Sequence, residues 1–261
     1  MTTSARVRTY AVTGSASGLG AATSARLVGA GARVIGVDLR DADVDADLAT
    51  TAGRADAVAR VLDACDGVLD GVVPCAGLGP QVADHALMLS VNYFGAVAFL
   101  DGLAEALGRG DQPAVVMISS HSVMLDPTVD AALVDACTSG DEGAARARAT
   151  ELPGNSVYAS AKAALARTTR RRAAQLGPRG IRVNAVAPGA FDSPLLQGGL
   201  DDPDLRPLIE SIPIPLGRRG TPDDIAAVVT WLLSDDARYV TGSLLVIDGG
   251  TDALLFPDRV P

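Results

Sequence analysis

Short runs of apolar, mostly β-branched residues alternate with amphipathic stretches along nearly the whole chain. The runs at residues 7–12, 33–37, 71–75, 114–119, 181–187 and 244–248 contain few polar positions. Such runs predict strands buried on both faces rather than half-exposed ones. Between them, stretches from the glycine-rich turn to residue 30, and at 52–66, 84–108, 155–176 and 223–233, repeat apolar positions at helical spacing. Gly31 suits a helix C-terminus, and Pro222 the start of the last helix. Strand and helix in alternation predict an α/β protein: a doubly wound parallel sheet of about seven strands, with helices on both faces.

Two stretches break the rhythm. Residues 121–154 contain two short helical patterns, near 128–137 and 141–151, and read as a helical insertion. Residues 189–221 are rich in Pro and Gly and read as irregular, with 190–220 as a flexible lid. Connections that long are commonly functional. No repeat or linker divides the chain, so residues 1–261 are expected to form one domain.

Composition narrows the function. The 261 residues are 48% hydrophobic and 20% charged, with 28 Gly and 15 Pro scattered without period. That excludes disordered and collagen-like chains. Cys65, Cys75 and Cys137 form no CxxC pair, which argues against a disulfide framework or a thiolate metal site. A net charge of −9 makes nucleic acid or anionic membrane a poor partner. The single basic run, Arg170 to Arg172, reads as a solvated helix face. The first residues lack the apolar stretch of a leader, and no charge-free apolar window reaches membrane-spanning length. A cytoplasmic protein is expected.

Candidate chemistry begins in the first turn. Gly14, Gly18 and Gly20 follow the first strand and open the first helix, where glycines permit a tight turn and close approach to a pyrophosphate. Ser17 and Leu19 lie in the same loop. Asp38 ends the second strand, placed to accept from adenosine ribose hydroxyls and to repel a 2′-phosphate. Together these favour NAD over NADP, with Arg40 as a counter-signal. Leu39, Asp47 and Leu48 are candidates for the adenosine side. The acidic run from Asp41 to Asp47 lacks the glycine and final glutamate of a calcium loop and reads as acidic surface.

The second constellation is Tyr158 and Lys162. Four residues apart, they share one helix face. Lys162 is the one lysine among 22 basic residues. A nearby ammonium favours phenolate and lowers a tyrosine pKa, and arginine cannot replace that compact charge.

The glycine loop followed by Tyr158-x3-Lys162 resembles the short-chain dehydrogenase/reductase family. Cys75-Ala76-Gly77, Ser90-Val91-Asn92, Ile118-Ser119-Ser120, Arg182-Val183-Asn184, Pro188-Gly189 and Asp248-Gly249-Gly250 extend the resemblance over essentially all the chain. The resemblance implies that Tyr158 is the general acid/base and that Lys162 binds the nicotinamide ribose. It implies that Ser120 polarises the substrate oxygen and that Asn92 holds a relay water. Cys75, Ala76, Gly77, Pro188, Gly189, Phe191 and Ser193 then fall on the cofactor side. Ser119 and Ser122 remain alternatives to Ser120. His121 reads as a surface residue, and Trp231 as core.

The long Ser120-to-Tyr158 stretch, with Pro80 and the Pro194–Gln197 run, resembles the bacterial branch of the family acting on 3α-hydroxysteroids and carbonyl compounds. An apolar lid is expected from Phe191, Leu195, Leu196, Leu200, Ile212 and Ile214. The expected activity is NAD-dependent interconversion of a secondary alcohol and a ketone on a bulky apolar substrate. A generic alcohol or 3-oxoacyl-type reductase, and a non-catalytic dinucleotide sensor, are the rivals. A homodimer is expected, either way the insertion is used: for dimerisation or for substrate.

Overall fold

The computed structural model describes residues 6–259; the first residues, read above as lacking a leader, lie partly outside that range. A seven-stranded sheet runs β3-β2-β1-β4-β5-β6-β7, every neighbouring pair parallel. Its strands are β1 (Thr9–Thr13), β2 (Arg33–Asp38), β3 (Val44–Asp45), β4 (Gly71–Pro74), β5 (Ala114–Ile118), β6 (Arg182–Pro188) and β7 (Leu244–Ile247). β1, β4, β5 and β6 are buried at every position, as their unbroken apolar runs require. β3 is a two-residue edge strand within the acidic segment read as plain surface: Val44 turns inward and is 3% exposed. The order reverses between β1 and β4, so a cleft opens beyond the carboxyl ends of these strands.

Helices cover both faces. α1 (Gly18–Gly29) and α11 (Pro222–Leu233) pack on one side, with Leu19, Leu27, Ile225 and Val229 against Val12, Val73 and Val116. α2 (Thr51–Ala64), α4 (Ala96–Leu107) and α8 (Gly154–Leu176) cover the other. Trp231, expected in the core, is 40% exposed on the outer side of α11.

The helix predicted over residues 84–108 is not uniform. α3 (His85–Leu89) passes through a π-helical segment, Ser90–Gly95, before α4. A π segment rotates the following turn and occurs frequently at functional sites; here it carries Asn92. The combined helix His85–Leu107 is long and apolar enough to cross a membrane, but it is largely buried within the fold.

The insertion holds α5 (Ser122–Leu125), α6 (Ala131–Ser139) and α7 (Glu142–Ala149). α6 starts later than its pattern suggested because Asp130 caps it, accepting from Leu133 N–H. The segment predicted as irregular contains α9 (Pro194–Asp201) and α10 (Arg206–Glu210), and α12 (Thr251–Leu255) closes the chain. A parallel bridge between Phe191 and Gly220 ties the two ends of this excursion together.

A part-buried ion pair docks the insertion. Arg54, 6% exposed on α2, donates to both carboxylate oxygens of Glu142 at 2.7 and 2.8 Å and to the Ser90 carbonyl at 3.2 Å. Ser90 Oγ donates to Glu142 at 3.0 Å and receives Arg146. The Arg54 guanidinium holds the Glu142 carboxyl below the usual range. Removing one partner strands a buried charge, so Glu142→Gln should lower unfolding free energy by about 2 kcal/mol. Because the folded carboxyl is the stronger acid, the pair's contribution is complete above the ordinary glutamate pKa and is lost as pH falls through the folded value. Urea unfolding of both forms from neutral pH down through and below the ordinary glutamate pKa checks this: the difference should hold above that pKa and shrink below it.

Candidate active site

The glycine turn is built by contact as much as by conformation. Gly14 sits at φ +67°, and a Cβ there would meet Ala76 N and Cα at 2.9 Å. The Thr13 hydroxyl accepts from Ala76 N–H at 3.0 Å, joining the same two loops. A Cβ on Gly20 would lie 2.0 Å from the Gly14 carbonyl oxygen. Gly20 therefore lets α1 pack directly on the turn, and it also lines the cavity. Gly18, at φ +51°, faces Pro194 and Ser193 across the cleft.

Ser17 is the N-cap of α1 but makes no side-chain capping bond, and the first turn carries no acid. The first-turn N–H groups and the positive end of the helix are thus left for an anion. Asp38 is fixed beside the loop, accepting from Ala16 N–H at 3.0 Å and Leu39 N–H at 2.7 Å. These residues fit a dinucleotide. Leu39 is exposed. Asp47 is exposed and accepts from Ala49 N–H at 2.9 Å, while Leu48 is buried in the core. Of the adenosine-side candidates, Asp38, Leu39, Asp47 and Leu48 do not line the main cavity.

That cavity has a volume of about 770 Å³ and brings together Gly14, Ser17, Gly18, Leu19, Gly20, Cys75, Ala76, Gly77, Ser120, Tyr158, Lys162, Pro188, Gly189, Phe191 and Ser193. β5 and α8 deliver the reacting groups. Ser119 and Ser120 both follow β5 and line the cavity, but their hydroxyls are used differently. Ser119 Oγ donates to the Lys162 carbonyl at 3.0 Å and serves the backbone. Ser120 stands with Tyr158 on the cavity wall, and its Oγ accepts from Ser122 N–H at 3.2 Å. Ser120→Ala should therefore lower turnover about 100-fold, whereas Ser119→Ala should change turnover far less; steady-state kinetics of both separates them.

Lys162 is 5% exposed, and its Nζ donates to the Ile118 carbonyl at 2.9 Å. Burial pushes the ammonium pKa down to about 8. Its Nζ lies 5.6 Å from the Tyr158 ring centroid. The expected lowering of the Tyr158 pKa by Lys162 is not what the pocket produces. Burial raises the phenol, and the opposing influence comes from the Ser120 hydrogen bond.

Asn92 is 1% exposed, and its amide is clamped on one residue: Oδ1 accepts from Leu78 N–H at 2.7 Å and Nδ2 donates to Leu78 C=O at 2.9 Å. A Cβ on Gly77 would stand 3.3 Å from Asn92 Oδ1 and 3.9 Å from Lys162 Nζ. Asn92 lies behind the cavity wall and sets the loop that forms it. Burial pushes the Cys75 thiol up to about 12, which removes it as a nucleophile.

His121 is 7% exposed, not a surface residue. Its N–H donates to Pro188 C=O at 3.0 Å, and its ring lies against Gly189, whose missing Cβ would also strike Asp248. Burial lowers its pKa. The far wall is apolar. Phe191, Leu195, Leu196 and Ile212 reach it as expected, whereas Leu200 and Ile214 do not; Leu205, Leu208 and Ile209 join from α10 and its flanks. Ser193 caps α9 by accepting from Leu196 N–H. Gln81, unremarked in the pattern, wedges against Gly198 of α9 and donates weakly to Leu195 C=O at 3.5 Å.

This cleft, at a sheet reversal and with a serine, tyrosine and lysine at the carboxyl ends of β5 and on α8, defines a dinucleotide-linked oxidoreductase architecture, and the chain belongs to the short-chain dehydrogenase/reductase family. Residues 8–126 match the family model described as short chain dehydrogenase, and residues 142–252 that of enoyl-(acyl carrier protein) reductase. The chain is 45% identical over 251 residues to 3-alpha-hydroxysteroid dehydrogenase/carbonyl reductase of Comamonas testosteroni, covering 95% of this chain and 98% of that one. The 3-alpha-hydroxysteroid dehydrogenase from Pseudomonas sp. B-0831, solved with NADH, superposes with a TM-score of 0.94 at 44% identity, over 97% of this chain and 100% of the other. A dichloro-cyclohexadiene-diol dehydrogenase of Sphingobium indicum is 34% identical over 273 residues, covering 95% of this chain and 98% of that one.

Proposed function

We propose that this protein is an NAD(H)-dependent dehydrogenase that interconverts a secondary alcohol and a ketone on a bulky apolar substrate, a 3α-hydroxysteroid being the first choice. The observation that carries this reading is the meeting of Ser120, Tyr158 and Lys162 at the junction of a phosphate-receptive turn and an apolar chamber. The two 3-alpha-hydroxysteroid dehydrogenase relatives support the substrate. Asp38 beside the loop supports NAD over NADP.

In this reading the N-terminal turn of α1 receives the pyrophosphate and Asp38 the adenosine ribose. Lys162, Gly77, Pro188, Gly189 and Ser193 bind and orient the nicotinamide half. When bound, NAD supplies the hydride acceptor, and NADH the donor. Ser120 orients the substrate oxygen by hydrogen bonding. Tyr158 takes the hydroxyl proton in oxidation and returns it in reduction. Asn92 acts through the loop at Gly77 and Leu78 and through water behind Lys162. Residues 190–220 close over the substrate as an apolar lid and exclude water.

A homodimer is part of the proposal. β7 is a sheet edge, Val246 on it is 38% exposed, and Trp231 projects from the neighbouring α11. Apolar side chains beside an unpaired edge suit pairing with a second copy. A cytoplasmic setting accords with three free cysteines.

The test is NADH formation with a panel of 3α- and 3β-hydroxysteroids and small secondary alcohols, with NADP run beside NAD. Preferential oxidation of 3α-hydroxysteroids with NAD is expected. Turnover of small alcohols alone would overturn the steroid assignment, and NAD binding without turnover of any alcohol would overturn the enzyme.

A further inference from the structure

The substrate chamber carries one carboxylate. Lys162 and Asp126 are the two fully charged side-chain types on the cavity wall, and Lys162 is committed to the Ile118 carbonyl. Asp126 follows α5, at the entry to the insertion. It is held, not free: Oδ1 accepts from Thr128 N–H at 2.8 Å and from Thr128 Oγ1 at 2.5 Å. This local turn fixes the carboxylate's direction. The other oxygen, Oδ2, meets only the amide of Asn155, at a long 3.4 Å. No ion pair involves Asp126 among the described residues.

Asn155 also lines the cavity. It precedes Tyr158 by one turn of α8, on the same helix face. The pair Asp126–Asn155 therefore lies beside the reacting tyrosine, within a chamber whose opposite wall is formed by Leu195, Leu196, Leu208 and Ile209. A carboxylate that faces an apolar chamber is costly when a substrate displaces water, unless that substrate returns a hydrogen-bond donor.

We propose that Asp126 and Asn155 form a subsite for a second hydroxyl on the substrate, so that the preferred class is an apolar diol or hydroxyketone rather than a simple alcohol or ketone. This rests on the reading of Tyr158 as the group at the reacting oxygen. Asp126 Oδ2 accepts from the second hydroxyl. Asn155 accepts or donates at the same group through its amide. The bond involves no chemistry at that hydroxyl: it orients the ring and so selects which carbon faces Tyr158.

The test has a kinetic and a binding arm. The kinetic arm compares kcat/KM for cyclohexanol and for the 1,2-, 1,3- and 1,4-cyclohexanediols with NAD. At least one diol should exceed cyclohexanol by about 10-fold, the scale of a hydrogen bond to a charged acceptor. Asp126→Ala should reduce that ratio about 10-fold, and Asn155→Ala should reduce it less. Asp126→Asn retains an acceptor for Thr128, so it controls for collapse of the turn, and it too should reduce the ratio. The binding arm measures cyclohexanone and 4-hydroxy-4-methylcyclohexanone on the protein with NAD, where no reaction can occur because the tertiary carbinol has no hydride to give.

A hydroxyl-dependent gain that follows Asp126 in both arms supports the subsite. Equal loss for mono- and dihydroxy compounds in every variant would show a merely structural residue and overturn it. Oxidation of cyclohexanol with no gain from a second hydroxyl in either arm would also overturn it, while leaving the dehydrogenase standing. Asp126-dependent binding of the hydroxyketone with no turnover of any alcohol would keep the subsite and overturn the enzymatic reading.

Discussion

Tyr158→Phe should lower kcat about 1,000-fold in both directions while NADH affinity stays within about threefold. Loss of positioned proton transfer costs on the order of 10² to 10⁴ in rate. The substitution removes one oxygen and leaves the ring, so the packing of α8 is kept. The phenol meets Ser120 and Lys162 on the cavity wall, whereas the Asp126 carboxylate on that wall is held by Thr128 and Asn155. Stopped-flow or steady-state turnover, with NADH fluorescence for binding, checks both halves. A variant that retains more than a tenth of its activity would remove Tyr158 from the proton-transfer role. Equal loss of activity and of NADH binding would make it a structural residue instead.

Gly20→Ala should destabilise the fold by about 3 kcal/mol and abolish measurable NADH binding. The added Cβ would stand 2.0 Å from the Gly14 carbonyl, a backbone atom that cannot swing aside. Overpacking of this kind commonly costs 1–3 kcal/mol, and here the displaced element is the helix start that receives the pyrophosphate. Gly29, in the same helix, is the control: a Cβ there meets nothing. Gly29→Ala should therefore hold or raise stability by about 0.5 kcal/mol, since alanine restricts the unfolded chain. Urea midpoints and NADH titrations of the two variants should diverge in opposite directions. Equal, small effects would show that α1 can shift without loss.

Features written into local pattern are readable in the sequence alone. The strand–turn–helix around Gly14 to Gly20 and the pairing of Tyr158 with Lys162 depend only on nearest elements. The alternation of apolar strand runs with amphipathic helices likewise points to a parallel, doubly wound sheet. Features that depend on distant contacts were not readable. Arg54 gives no sign that it will meet Glu142, because the pair joins α2 to the insertion across a long stretch of chain. His121 looks like a loop residue until β6 brings Pro188 and Gly189 against it. The π segment at Ser90–Gly95 is hidden because one extra residue per turn leaves the apolar period nearly intact. α10 is five residues long, too short for periodicity to show. Asp126 was visible only as one acid of an acidic insertion, and its place on the cavity wall comes from the turn it makes with Thr128.

The central claim is hydride removal from a carbinol carbon in the cleft between the Gly14–Gly20 turn and Tyr158. The most direct measurement oxidises a 3α-hydroxysteroid deuterated at its carbinol carbon in the presence of NAD and follows the label by mass spectrometry and NMR. The account predicts that the deuterium appears on the nicotinamide ring of NADH, that the proton is released to solvent, and that Tyr158→Phe suppresses the transfer. Ketone formation with the deuterium lost to water, or label on NADH at an undiminished rate in the Tyr158→Phe protein, would contradict it.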